Sequence, residues 1–506
     1  MKLTSKTLSS IQPREGLVVP PVSSIDLPEK IIQFGTGVLL RGLPDHFISN
    51  ANNKGIFNGR IVVVKSTSNG ATDAFNEQDG LYTLCVRGIE NSKKISYNQI
   101  VSSISRIVSA SSQWNEVLAC AANPDIQVVL SNTTEVGIAM VAEQFNGTTP
   151  VSFPGKLLAF LYKRFEVFGP EAGKGLVIIP TELITDNAEK LRLIILQHCS
   201  EHNFSSEFVE WIKKENHFCN SLVDRIVPGK FSEQERANIE ATLGYSDELM
   251  IMSESYALWA IETNSPAVEA FLSFKDANPQ IILAPDIDKF RDLKLRLLNG
   301  AHTFSCGLAM LAGFQTVKDA MSHQLFRSYL QRLMQQEITQ VLLSENITNE
   351  ECIDFCDKVL DRFSNPFIEH PWLNICMNYS SKMLMRNIPL ITKYCEKFVQ
   401  APVLMSLGMA AHILFMRSEF RDHKYFGRSL SSEYELTDEN APVYYAAWQT
   451  GSESVAAIIL ADRTLWHRDL TTLPTFLNEV NYWLSQLLTV GAVEIINLSS
   501  KISVEK

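Results

Sequence analysis

Three polar residues of one segment, KLRLLNGAHT at 294–303, have side chains that could transfer a proton or stabilise a negatively charged oxygen: Lys294, Asn299 and His302. A lysine that is removed from water has a lowered pKa, so its amine could take a proton from an alcohol or return one to a carbonyl. An asparagine amide could donate hydrogen bonds to an oxygen that develops negative charge. The same residues also fit a structural interpretation: Lys294 extends to solvent, Asn299 and Gly300 end a helix, and His302 is hydrogen-bonded in the core.

A helix that begins at Asp286 would place this segment beside an apolar face. The apolar residues that recur at helical spacing are Ile287, Phe290, Leu293, Leu297 and Ala301. Lys294 would then lie on the flank of this stripe, which favours its partial removal from water.

The elements around this segment change character along the chain. Four runs rich in Val and Ile predict strands that are buried on both faces of a parallel sheet: 30–37, 59–67, 124–137 and 173–187. Beyond about residue 285, apolar positions recur at helical spacing, as in 319–345 and 478–496. The sequence therefore predicts an α/β fold, with a Rossmann-like parallel-sheet domain at 1–285 and a mostly α-helical domain at 286–506. The Lys294 segment follows this boundary, and ligand sites are common between domains.

The first predicted strand leads into a glycine turn, KIIQFGTGVLLRG at 30–42. Glycines at such a turn let the backbone approach a pyrophosphate, and the N–H groups of the following helix attract its charge. Leu40 stands where the usual fingerprint has its third glycine, so the turn fits either a dinucleotide or an ordinary strand-to-helix connection. Its candidate cofactor-binding residues are Phe34, Gly35, Thr36, Gly37 and Val38.

Two further strand ends offer cofactor-binding residues. The second strand ends in Lys65 and Ser66, where an acidic residue commonly binds the adenosine ribose. A cation there could favour the extra phosphate of NADP, or Lys65 could simply be solvated. Small polar residues follow a later strand and could line the cofactor cleft, although Asn132 or Thr134 could instead cap a helix. These candidates are Ser131, Asn132 and Thr133.

Composition excludes several function classes. The chain of 506 residues has a net charge of −11, which disfavours a nucleic-acid partner. No apolar run is long enough to span a membrane, and the polar amino-terminal segment lacks a signal core, so we expect a cytoplasmic protein. The nine cysteines are scattered and are expected to be reduced and structural. Neither H-E-x-x-H nor C-x-x-C occurs, so no catalytic metal is expected.

The spacing K-x-x-x-x-N-x-x-H of Lys294, Asn299 and His302 resembles the catalytic signature of the polyol-specific long-chain dehydrogenases, the mannitol dehydrogenase family. Matching segments occur in the same order along nearly the whole chain: QFGTGVLLRG, SNTTEVG, PTELITDN, NSLVDRIVP, RFSNPFI and ADRTLWHRDL. Within the family, QFGTGVLLRG and QDGLYTLCVRG are most similar to the members that interconvert D-tagaturonate and D-altronate.

The resemblance implies metal-independent hydride transfer between a nicotinamide and a secondary carbinol carbon. Lys294 would be the general acid and base, and Asn299 and Asn187 would form an oxyanion hole. His302 would bind and orient the substrate. Asp224 would tune the site or relay protons, or it could instead form a salt bridge with its neighbour in a turn.

A hexuronate carries a carboxylate, so its site needs a cation. Lys382 and Arg386 lie one helical turn apart in a segment that resembles the family's basic substrate-binding region, and Lys382 is the first candidate. Arg362 could bind the same carboxylate or could only hold its loop. The family commonly has an acidic residue at the second strand, and its absence leaves both NAD and NADP open.

The implied function is the NADH-dependent reduction of D-tagaturonate to D-altronate in hexuronate breakdown, by a monomer that acts on a small sugar acid. Fructuronate reduction to mannonate and hexitol oxidation are the alternatives within the family. A non-catalytic dinucleotide sensor is the alternative from another class.

Overall fold

The computed structural model describes residues 1–66, 73–133, 136–171, 173–430 and 432–499. The chain divides into two compact units. The first comprises Met1–Gly88 and Lys94–Ile287, and the second comprises Ile89–Lys93 and the chain from Asp288 onward.

The first unit is built on a six-stranded sheet. Its strands in chain order are β1 (Glu29–Phe34), β2 (Arg60–Lys65), β3 (Ile104–Ser109), β4 (Val128–Ser131), β5 (Val177–Pro180) and β6 (His217–Phe218). Their order in the sheet is β3-β2-β1-β4-β5-β6, and every neighbouring pair is parallel. This is the strand order of dinucleotide-binding Rossmann domains, in which ligands bind beside the carboxyl ends of β1 and β4. The predicted parallel sheet is therefore confirmed.

Alternate residues of these strands enter two different cores. Ile31 and Val63 pack into the core on one face of the sheet, whereas Ile32 and Val64 pack into the core on the other. Successive side chains of a strand point to opposite faces, so an unbroken aliphatic run is stable only where both faces are covered. The Val- and Ile-rich runs therefore specify buried strands.

The remaining elements of the first unit surround this sheet. Its helices are Ser5–Leu8, Val38–Gly42, Pro44–Asn53, Asp73–Glu77, Trp114–Cys120, Phe153–Phe168, Asn187–Glu201, Ser206–Glu215, Glu233–Leu243 and Pro266–Phe271, with 3-10 helices at Val22–Asp26 and Ser273–Ala277. A four-stranded sheet contains Leu17–Val18, Tyr82–Glu90, Lys93–Val101 and Ile251–Glu254. A three-stranded sheet contains Ser221–Asp224, Leu258–Glu262 and Ile281–Ala284.

The second unit is mostly helical, as predicted. Its α-helices are Asp288–Asp292, Ala301–Leu311, Val317–Ser322, Gln324–Arg332, Thr339–Leu342, Asn349–Phe363, Trp372–Cys376, Tyr379–Lys382, Ile388–Phe398, Val403–Phe415, Ala441–Trp448, Val455–Ala461, Arg463–Trp466, Phe476–Thr489 and Ala492–Ser499, with a 3-10 helix at Leu470–Thr472. An antiparallel meander of Ser418–Arg421, Lys424–Arg428 and Glu433–Glu435 was not predicted. None of the described helices is long and apolar enough to cross a membrane.

The helix around Lys294 differs from the prediction. It begins at Asp288 instead of Asp286, and its central part, Leu293–Gly300, is a π-helix. Two further π-helices occur in this unit, at Leu333–Ile338 and Met383–Asn387. Of the predicted apolar stripe, only Phe290 remains partly exposed. The stripe residues that are buried are Ile287, Leu293, Leu297 and Ala301.

Candidate active site

The turn after β1 requires a glycine at its first position. Gly35 has φ +131°, and a Cβ there would lie 2.9 Å from the carbonyl oxygen of Asn132. The Gly35 N–H donates to the Val64 carbonyl (3.0 Å), and the Asn132 N–H donates to the Phe34 carbonyl (3.2 Å). The structure thus brings the predicted cofactor residues at the ends of β1 and β4 into contact, beside the end of β2.

The second glycine of the turn faces open space. A Cβ added at Gly37 would meet no heavy atom of the described chain within 4 Å. Gly37 precedes the helix Val38–Gly42, and both Thr36 and Val38 are partly exposed. Gly42, the last residue of this helix, packs closely on another part of the first unit, because a Cβ there would lie 2.7 Å from the Val227 side chain. The turn therefore fits a dinucleotide pyrophosphate despite its unusual spacing.

The end of β4 and the residues after it form hydrogen bonds with the segment that follows β5. The Ser131 hydroxyl donates to the Glu182 carboxylate (3.0 Å), as do the Thr133 N–H (2.9 Å) and hydroxyl (3.0 Å). The Asn132 amide donates to the Thr181 carbonyl and hydroxyl, both at 3.0 Å. Burial raises the pKa of the Glu182 carboxyl, and these hydrogen bonds oppose that shift. Glu182 was not predicted as a site residue, although it lies in the motif PTELITDN.

The alternative that Asn132 or Thr134 caps a helix can be examined only for Asn132. Thr134 lies outside the described residues, and the next helix that the structure describes begins at Phe153. Asn132 bonds to Thr181 on the neighbouring strand end. In the described part of the chain, Asn132 therefore joins two strand ends.

Lys65 is the last residue of β2 and is partly exposed. It follows Val64, whose carbonyl accepts the bond from Gly35, so Lys65 lies at the sheet edge that carries the glycine turn. Residues 67–72, which follow it, lie outside the described part of the chain.

Asn187 is buried at the start of its helix, and its side chain is bound to backbone groups. Its amide nitrogen donates to the carbonyls of Pro180, Glu182 and Ser221 at 3.0–3.1 Å. Its amide oxygen accepts from the N–H groups of Ser221 (3.0 Å) and Ala188 (2.9 Å). A direct bond from Asn187 to a substrate oxygen would require exchange of one of these bonds.

Asp224 is buried at the end of the strand Ser221–Asp224, which Asn187 anchors through Ser221. The guanidinium of its neighbour Arg225 donates to the carbonyls of Gly42 (2.6 Å) and Glu254 (2.9 Å). The structure thus places Asn187 and Asp224 on adjoining elements of the first unit.

Lys294 and Asn299 both lie on the π-helix Leu293–Gly300 of the second unit, and both are half-buried. A π-helix bonds i to i+5 instead of i to i+4, so it displaces side chains from the positions that an α-helix would give them. Such segments are rare in proteins, and those that occur often lie at functional sites.

This π-helix is fixed against the π-helix Met383–Asn387. The Arg296 guanidinium donates to the carbonyls of Met385 (3.0 Å) and Arg386 (2.7 Å). The Asn387 amide donates to the Gly300 carbonyl (3.3 Å). The Arg386 guanidinium donates to the hydroxyl of Thr303 (3.1 Å), one turn beyond the first π-helix. The pairing holds the Lys294 segment and the basic segment side by side.

His302 is buried among aromatic rings. Its ring stacks on Phe363 with 3.7 Å between centroids and 2° between planes, and the rings of His370 and Trp372 meet it edge-on. Within the described residues, its Nε2 has no hydrogen-bond partner. Burial and then the nearby His370, Arg362, Arg386 and Lys382 lower the pKa of His302 well below its usual value, so the imidazole is neutral at neutral pH.

The three predicted carboxylate-binding cations lie near enough to this histidine for each of their charges to lower its pKa. Arg362 is buried, and Lys382 and Arg386 are half-buried. Burial, followed by the charge of Arg386, lowers the pKa of Lys382, and burial lowers the pKa of Arg386. The Lys382 ammonium donates to the Ile375 carbonyl (2.8 Å). Three cations around one neutral imidazole create a positive field that suits an anionic ligand.

Matches to known families fit both units. The Mannitol dehydrogenase Rossmann domain matches residues 29–273, and the Mannitol dehydrogenase C-terminal domain matches residues 286–488. The chain belongs to the mannitol dehydrogenase family. It is an oxidoreductase of that family with a Rossmann domain, as the resemblance implied.

Relatives within the mannitol dehydrogenase family include altronate oxidoreductases. The protein of that name from Halalkalibacterium halodurans is 37% identical over 459 residues, which are 88% of each chain. The one from Bacillus subtilis is 35% identical over 470 residues, 92% of this chain and 94% of its own.

Two solved structures share the mannitol dehydrogenase fold of this chain. One is Pseudomonas fluorescens mannitol 2-dehydrogenase in a ternary complex with NAD and D-mannitol, with a TM-score of 0.69, 21% identity and coverage of 99% of this chain and 100% of its own. The other is a substrate-free D-sorbitol dehydrogenase, with a TM-score of 0.76, 19% identity and coverage of 98% and 100%.

Proposed function

We propose that the chain catalyses the reversible NAD-dependent reduction of D-tagaturonate to D-altronate. The relatives named altronate oxidoreductase support the sugar acid, since they are 33–37% identical over most of the chain. The observation that carries the proposal is the cluster of Arg362, Lys382 and Arg386 around His302. A hexitol has no charge for these cations to bind, whereas a hexuronate has one carboxylate.

The proposed carboxylate site depends on half-buried cations. An ion pair on an exposed surface contributes little, because water and salt screen it. A charge-assisted hydrogen bond in a partly buried site is stronger, and a planar guanidinium can hold both carboxylate oxygens. Lys382 is assigned the primary contact, and Arg386 is fixed by its bond to Thr303 so that it can assist.

Lys294 is assigned the proton transfer. When bound, the nicotinamide supplies or accepts the hydride at C4. As the ketone becomes an alcohol, Lys294 gives a proton to its oxygen, and in the reverse direction it takes that proton back. Asn299 donates a hydrogen bond to the same oxygen, which stabilises the negative charge that develops there. Because both residues lie on one π-helix, their relative positions are fixed by its backbone.

Three further residues support this chemistry in the proposal. The neutral His302 orients the substrate through Nε2, held in place by the stacked Phe363. Asn187 acts mainly by positioning, because its amide hydrogens hold the end of β5 and the strand that leads to Asp224. Asp224, at the end of that strand, tunes the site or relays protons.

The dinucleotide is assigned to the glycine turn of the first unit. Gly35 and Gly37 let its pyrophosphate approach the backbone, and Ser131, Asn132 and Thr133 line the neighbouring strand end. NAD is the assigned cofactor. Lys65 at the end of β2 allows some use of NADP through its positive charge.

Steady-state rates with tagaturonate, fructuronate and fructose, each with NADH and with NADPH, test the proposal. We expect the highest kcat/KM for tagaturonate with NADH. A preference for fructuronate would reassign the substrate within the hexuronates, and a preference for fructose would refute the carboxylate site. Tight NADH binding without hydride transfer to any of the three would instead favour the dinucleotide sensor.

A further inference from the structure

Three potential metal ligands meet at the end of the helix Asn187–Glu201. His198, Glu201 and His202 lie three and four residues apart, so they occupy one face of the last turn. One ligand atom from each lies within 4.8 Å of the other two. The cluster belongs to the first unit and contains none of the residues assigned to hydride transfer.

His198 is the reason to expect a ligand here. Its side chain is fully buried, and neither ring nitrogen has a hydrogen-bond partner among the described residues. Buried polar groups without partners are costly and rare. Phe145 covers the cluster, with its ring centroid 5.4 Å from that of His198 and 4.9 Å from that of His202. The buried imidazole therefore has ring nitrogens that a bound metal ion could satisfy together with the neighbouring side chains.

The local electrostatics favour a cation. Burial lowers the pKa of His198, and the neutral imidazole is the form that binds metals. The helix ends at Glu201, so its carbonyl groups present their partial negative charge to the cluster. Glu143 adds a further negative charge nearby, although its carboxylate already accepts hydrogen bonds from the backbone of Val151 and Ser152.

We propose that His198, Glu201 and His202 bind one divalent transition-metal ion, with Zn²⁺ preferred over Mg²⁺. Two imidazoles and one carboxylate form a ligand set that zinc uses and that magnesium, which prefers oxygen ligands and water, does not. Ligand atoms around a tetrahedral zinc are about 3.4 Å apart for bonds of 2.0–2.1 Å, so the cluster needs a small contraction. The exposed Glu201 and the partly exposed His202 have room to make it.

The ion would be structural. His198 follows Asn187 by eleven residues, which is about 16 Å along a helix with a rise of 1.5 Å per residue. An ion at this distance does not touch the reacting atoms. It would instead fasten the end of the helix, whose first residue anchors two strands of the first unit. That an ion binds here does not depend on the proposed function, whereas its distance from the reacting atoms rests on the role proposed for Asn187.

The test measures metal binding directly on the full-length protein. Chelator-treated wild type is titrated with Zn²⁺ in competition with a chromophoric chelator, and its Tm is recorded with and without Zn²⁺ or Mg²⁺. The variants are Glu201→Gln and His202→Gln, which alter exposed or partly exposed ligands and leave the buried His198 in place. His423→Gln, which removes an exposed histidine of the second unit, is the matched control.

We expect one Zn²⁺ per chain in wild type and in the control, with a Tm that rises on binding Zn²⁺ but not Mg²⁺. Loss of a direct ligand should weaken binding at least about 100-fold, since loss of an outer-shell partner alone costs 10–100-fold. Equal affinity in wild type and both ligand variants would overturn the proposal, as would the absence of a bound ion in wild type.

Discussion

Replacement of Lys382 by methionine gives the sharpest test of the carboxylate site. Methionine keeps most of the length and apolar surface of the lysine stem and removes only the charged end. The ammonium donates to the Ile375 carbonyl and lies near Arg386, so its loss removes one donor and also a repulsion between two cations. The Lys382→Met variant should therefore fold normally.

The expected effect follows from the partial burial of Lys382. An exposed ion pair would contribute about 0–1 kcal/mol, and a hydrogen bond to a charged group contributes about 1.5–3 kcal/mol. Arg386 and Arg362 remain and keep part of the positive field, so a loss of about 2 kcal/mol is reasonable. This corresponds to a fall of about 30-fold in kcat/KM for tagaturonate.

The assay compares kcat/KM for tagaturonate and for fructose in the same variant. Fructose has no carboxylate, so its rate should change less than about threefold, since no charge-assisted bond is lost. Lys393→Met, which alters an exposed lysine of the next helix, is the control and should leave both rates unchanged. Equal losses for the two substrates would show that Lys382 supports the fold or the chemistry instead of binding a carboxylate.

Two other predictions concern single residues. Gly37→Ala should leave the Tm unchanged, because the added Cβ meets no described atom within 4 Å. The same change should weaken NADH binding at least about 10-fold in a fluorescence titration, because the Cβ would occupy the approach of the pyrophosphate. Unaltered NADH affinity would place the pyrophosphate elsewhere. Burial raises the pKa of Glu337 to about 7, although the N–H groups of Leu404 and Met405 donate to its carboxylate. The folded state therefore binds a proton that the unfolded state releases, and the free energy of unfolding should fall by roughly 2–3 kcal/mol as the pH rises from 5 to 8. Calorimetry should show this pH dependence reduced in Glu337→Gln, and an unchanged dependence would contradict the assignment.

The sequence predicted the parallel sheet because its signal is local. Residues 61–64 are all Ile or Val, and such a run is stable only as a strand that is covered on both faces. The glycine turn was also predictable from the sequence. Its first position has φ +131°, a backbone angle that glycine adopts readily and other residues rarely adopt, so the turn requires Gly35. The meander that contains Tyr434 was missed, since its short strands lie in a region dominated by helical spacing.

The parts of the site that depend on tertiary contacts were not predictable. Apolar residues at 293, 297 and 301 fit an α-helix as well as a π-helix, and the bonds from Arg296 to a distant segment are invisible in the sequence. The stacking of His302 on Phe363 and the contact with His370 join residues that are about 60–70 positions apart along the chain. The backbone bonds of Asn187 likewise depend on the position of Ser221.

The proposed mechanism requires proton transfer by Lys294, and the single-turnover rate of hydride transfer in Lys294→Ala reports on that step. General acid–base catalysis contributes about 10²–10⁴-fold, so the rate of NADH oxidation by tagaturonate should fall by about that factor while the Kd for NADH stays the same. The control is Lys289→Ala, which removes a lysine of the preceding turn that pairs with Glu351 at a partly exposed position. A hydride-transfer rate in Lys294→Ala that stays close to that of the control would contradict the account.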